Sequence, residues 1–167
     1  SLLTREILQY ASTIEEAYEI AKKRNTFVSE SILVGSAKDR RAAIIEKSPD
    51  NIGIYEPTDS RVICTNHFKS AAFENAERNI ENIKTSDSYY RYQRLEELLN
   101  REGKINHNNA ASTLRKRVGL NDGEVGLSNE MAVNQSIAHH AGIFKPEERK
   151  IWESTSPWQS GKFVEND

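Results

Sequence analysis

Residues 31–65 most constrain the fold, because there the chain gives up helical spacing for short β-rich runs. The runs are 31–37, 41–46, 52–56 and 61–65. Between them lie Lys38-Asp39-Arg40, Ser48-Pro49-Asp50-Asn51 and Pro57-Thr58-Asp59-Ser60, all turn compositions. Connections this short cannot hold the crossover that parallel strands need, so the runs predict an antiparallel meander.

Helical spacing flanks the meander. Leu3, Ile7, Leu8 and Ala11 predict a short first helix. Thr13-Ile14-Glu15-Glu16 is a capping box that opens a second helix, with Ile14, Ala17, Tyr18 and Ala21 along it and Lys22-Lys23-Arg24 at its far end. Helices return after Phe68. One is predicted over 87–102, stopped by Gly103, and another over 106–118. Extended chain is then expected over 132–144 and 150–154, with a last short strand near Phe163-Val164 after a turn at 157–161. Helices, strands, helices, strands, without β-α-β alternation, define an α+β class: antiparallel sheets with helical layers.

The charge balance excludes some partners. Lys and Arg number 23 and Asp and Glu 25, a net charge of -2, so no basic excess points to nucleic acid. No run approaches the length a membrane helix needs. The single cysteine, Cys64, excludes an internal disulfide framework and a cysteine-based zinc site. His139 and His140 are adjacent, so in a strand they point to opposite faces, and no carboxylate spacing completes a metal motif. Asn134-Gln135-Ser136 matches a glycosylation sequon inside a predicted strand and is read as chance.

Two segments carry candidate chemistry. Cys64-Thr65-Asn66-His67-Phe68 stands where the fourth run meets a loop. Cys64 and His67 suggest a nucleophile pair, but their spacing does not oblige them to meet, and Cys64 reads rather as a small buried apolar residue on a strand. The amide of Asn66 can donate to a developing oxyanion, or serve a turn. In Ser88-Tyr89-Tyr90-Arg91-Tyr92, an arginine among tyrosines can be aimed at an anion or a carbonyl, or simply snorkel from an amphipathic helix.

Taken in order, Ser31-Ile32-Leu33-Val34-Gly35, the strand from Arg41 to Pro49, Thr65-Asn66-His67-Phe68 and Ser88-Tyr89-Tyr90-Arg91 resemble the penicillin acyltransferase-like (isopenicillin N acyltransferase type) family of N-terminal nucleophile hydrolases. The resemblance implies a four-layer αββα sandwich and a precursor that cleaves itself to expose an N-terminal cysteine. It implies that Asn66 and Arg91 are catalytic, as oxyanion donor and as organiser of the nucleophile's surroundings. His67 and Tyr89 become candidates for substrate binding. It implies a small amide or thioester substrate and neither cofactor nor metal.

One expectation follows from a departure. The family nucleophile precedes all these segments, Cys64 has its nitrogen in a peptide bond, and Ser1 opens onto a predicted helix rather than a core strand. Residues 1–167 are therefore expected to form a single domain that is the C-terminal portion of a larger N-terminal nucleophile hydrolase domain. The N-terminal portion carrying the nucleophile would be its partner, and self-association would result where that portion is missing. The alternative is a non-catalytic binding or assembly module with the same fold.

Overall fold

The computed structural model describes residues 2–126, 128–135, 137–155 and 161–166. Ser1, Ser136 of the sequon and residues 157–160 of the turn expected over 157–161 lie outside the described residues. The chain divides into two compact units, one up to Thr85 and one from Ser86.

The first unit begins with α1 (Leu2–Tyr10) and α2 (Ile14–Lys23). Half of the predicted capping box forms: the Thr13 hydroxyl accepts from the Glu16 N–H at 3.1 Å, while Glu16 reaches past the cap to the Ser12 N–H at 2.6 Å. The Asp39 carboxylate also accepts from the Ile14 N–H at 2.8 Å, satisfying a second donor of the first helical turn. That bond is the main reason the Asp39 carboxyl is held below the usual range.

Strands β1 (Glu30–Ser36), β2 (Arg41–Lys47) and β3 (Ile52–Tyr55) form an antiparallel sheet in the order β1-β2-β3. Leu3 and Ile7 of α1 and Ala17 and Ala21 of α2 bury against Ile32 and Ile45, which are register partners. Burying side chains such as Ile45 contributes roughly 1.5–3 kcal/mol each. Strand alternation turns Ile44 and Glu46 to the other face, where both are also buried.

The fourth predicted run, 61–65, belongs to neither sheet among the described residues. Its β-rich composition reports a half-buried environment, shown by buried Ile63, but a strand also needs a ladder partner. After a single helical turn at Ala71–Phe73, the unit closes with α3 (Glu77–Thr85).

The second unit holds α4 (Ser88–Glu102) and α5 (His107–Leu114), then an antiparallel sheet of β4 (Ala141–Lys145), β5 (Lys150–Ser154) and β6 (Val164–Asn166). The predicted start of α5 holds, but the helix ends at Leu114 rather than 118. The expected strand over 132–144 is extended only from Ala141. Asn134 explains both differences. Its backbone N–H donates to the Lys116 carbonyl at 2.9 Å and its amide to the Leu114 carbonyl at 3.1 Å. Buried Asn134 thus satisfies carbonyls left open at a helix end, and the chain cannot also lie in a sheet there.

Candidate functional site

A cleft of about 750 Å³ opens in the first unit, with Ser31, Asp50, Cys64, Asn66, His67 and Asn79 among its lining. The predicted chemical segment therefore lines this cleft, although it arrives there as irregular chain rather than at a strand end.

Side chains hold that segment in the absence of a ladder. Glu46 of β2 accepts from the Lys69 N–H at 2.6 Å and the Ser70 N–H at 2.8 Å. Asn79 of α3 grips the Phe68 peptide from both sides, accepting from its N–H at 2.8 Å and donating to its carbonyl at 3.0 Å. Asn82, one turn further along α3, donates to the Asn66 carbonyl. The Phe68 and Phe73 rings pack with centroids 4.3 Å apart. The result presents Asn66 exposed at the cleft while His67 beside it is buried.

His67 Nδ1 shares a hydrogen bond with the Thr65 hydroxyl at 3.1 Å. Burial pushes the Cys64 thiol up, and the Glu46 charge adds to the shift, against smaller opposing effects of a Ser31 hydrogen bond and the Lys69 charge. A reactive cysteine needs the opposite shift, so these surroundings do not activate Cys64 for the suggested Cys64–His67 pair.

Arg91 and Tyr89 belong to the second unit. Arg91, in the first turn of α4, is half-buried and its guanidinium donates to the Glu130 carbonyl. Burial lowers its pKa, against the charges of Asp87 and Glu130. Tyr89 is exposed and stacks on Tyr92, ring planes 6° apart. His139 and His140 are exposed and outside any strand, so opposite-facing strand geometry does not apply to them. Among the described residues, no three His, Cys, Asp or Glu side chains are grouped to hold a metal ion.

Sequence reasoning missed Glu46, Asn79 and Asn82. A signal existed for Glu46: strand period puts it on the same face as Ile44, an acid in an apolar row. Asn79 and Asn82 stand three apart on a helix, and only the position of the 66–70 segment reveals their use.

Antiparallel sheets with separate helical layers make this an α+β protein. Residues 1–156 match the family described as acyl-coenzyme A:6-aminopenicillanic acid acyl-transferase, and the chain belongs to that family. No curated protein and no solved structure matches it.

Proposed function

We propose that this chain is the C-terminal portion of an autoproteolytic acyltransferase or amide hydrolase. The nucleophile is the N-terminal cysteine of a mature chain whose residues precede those described. The two compact units then belong to one larger N-terminal nucleophile hydrolase domain. The observation that carries the reading is the exposed Asn66 on a braced segment at a cleft, in a chain of this family.

The chemistry would run as follows. The cysteine thiol gives its proton to the chain's own α-amine, whose pKa of about 7.7–8.0 suits proton transfer near neutrality. The sulfur attacks the carbonyl of a small amide or thioester, and Asn66 donates to the oxyanion as the C=O bond opens. Collapse expels an amine or thiol, which takes the proton back from the α-amine. The resulting acyl-cysteine passes its acyl group to an acceptor amine or to water. Arg91 orders the nucleophile's surroundings, and His67 and Tyr89 contact substrate. None of these roles needs a cofactor.

The intact mass of the full-length protein before and after maturation tests the frame: cleavage should expose a cysteine as the new N-terminus. A full-length chain that stays uncleaved, with no upstream cysteine, refutes the proposal. Asn66→Ala tests the site. It should lower kcat about 10²- to 10³-fold in acyl transfer from acyl-coenzyme A thioesters to 6-aminopenicillanic acid, or in acyl p-nitroanilide hydrolysis. An unchanged kcat removes Asn66 from the mechanism.

A further inference from the structure

We infer that Glu46, Asn79 and Asn82 are positioning residues for acyl transfer: they fix the backbone of residues 66–70 and thereby aim the Asn66 amide. The inference rests on the reading of Asn66 as oxyanion donor. Three side chains from two elements satisfy five backbone groups in this short stretch: the Asn66 carbonyl, the Phe68 N–H and carbonyl, and the N–H groups of Lys69 and Ser70.

Glu46 is the unusual member. It is 1% exposed on the central strand, and a buried carboxylate is costly unless hydrogen bonds compensate it. Here each oxygen takes a separate, consecutive backbone N–H, which forms charge-assisted bonds and fixes the orientation of the segment as well as its location. Gly53 supports the arrangement from β3: a Cβ there would lie 2.3 Å from the Ser70 Oγ, so glycine lets the segment lie directly on the sheet. Asn79 and Asn82 then brace it from α3. Oxyanion stabilisation depends on donors already in place, so a loosened backbone at 66–70 loses catalysis without losing the substrate.

The test uses the full-length protein with Glu46→Gln and Asn82→Ala. The first keeps the side chain's shape but confronts a backbone N–H with an amide NH₂. The second removes one exposed bond and leaves the core intact. In protein with selectively ¹⁵N-labelled asparagine and unchanged far-UV circular dichroism, both variants should shift and broaden the Asn66 side-chain NH₂ resonances. Unmoved resonances overturn the proposal whatever the activity.

With an octanoyl p-nitroanilide as the probe, each variant should lower kcat about tenfold at a nearly constant KM. In an Asn66→Ala background the same changes should cost less than about twofold, because their effect passes through Asn66. Equal losses in both backgrounds overturn the positioning role. An Asn66→Ala protein with full turnover instead sinks the oxyanion role of Asn66, and the resonance test still judges the bracing. Should Glu46→Gln fail to fold, Asn82→Ala and Asn79→Asp carry the same two readouts.

Discussion

Arg94 is completely buried in α4, yet it is an ion-pair residue. Its guanidinium donates to Glu97 at 2.7 Å and to Asp122 at 2.6 Å, and Arg101 pairs with the same two carboxylates. Asp122 is thereby pulled down to about 2, first by the Arg94 hydrogen bond and then by that of Arg101. A carboxyl with a depressed folded-state pKa adds stability that is complete above its unfolded pKa and disappears as pH falls through the folded one. The Asp122 contribution should therefore be intact at pH 7 and fade between about pH 4 and pH 2. Asp122→Asn should lower the urea midpoint at pH 7, and its deficit against wild type should narrow across that acid window. A deficit constant with pH would show that the charge does not matter. Nothing in the sequence marked Arg94: it lies three residues beyond Arg91 in a helix rich in charged residues, and its pairing with Asp122 joins residues 28 apart in the chain. Asp122 itself has φ 59°, the left-handed region that Asn and Asp tolerate better than most residues. The conformation of this loop and its tie to α4 follow from contacts between residues far apart in the chain.

Elements were legible where local chemistry defines them. The Thr13 cap and the first three strands came from short-range signals, and each stands where those signals put it. Thr13→Ala should cost about 1 kcal/mol of stability, measured by chemical denaturation, since the Glu16 N–H then loses its acceptor. Elements were misread where tertiary partners decide. The 61–65 run has strand composition but, among the described residues, joins neither sheet, and Asn134 bonds carbonyls at the end of α5 instead of a sheet partner. The segment after α5 shows how strict such local packing is. A Cβ at Gly119 would lie 2.3 Å from the Tyr90 Oη and 2.8 Å from Val125 Cγ1, and that same Tyr90 hydroxyl accepts from the Leu120 N–H at 2.9 Å. Gly119→Ala should destabilise by roughly 1–3 kcal/mol, because Tyr90 must withdraw and the Leu120 N–H loses its acceptor. If thermal denaturation finds Gly119→Ala neutral, the α4 tyrosine does not seat that turn.

At the scale of the whole molecule, the block order and the family were legible, because both reside in linear patterns. The division into two compact units was not, since it depends on which contacts form. Family membership also gives meaning to the surface of the first unit. Phe27 is 92% exposed and Val28 53%, just before β1, and Leu33 within β1 is 56% exposed although its neighbour Ile32 is core. Apolar side chains gathered along an edge strand are an aggregation hazard unless something covers them. Under the proposed function, the covering element is the N-terminal portion that carries the nucleophile. Residues 1–167 produced alone should then self-associate, with a sedimentation coefficient that rises with concentration. Phe27→Ser and Leu33→Ser together should reduce the association without changing the far-UV circular dichroism, since both side chains lie outside the core cluster. The full-length protein should show no such concentration dependence, and the paired serine substitutions should impair its maturation by weakening contact with the nucleophile-bearing portion. A chain of residues 1–167 that remains monomeric at every accessible concentration, together with a doubly substituted full-length protein that matures normally, would leave this edge without a covering partner and favour the stand-alone binding module.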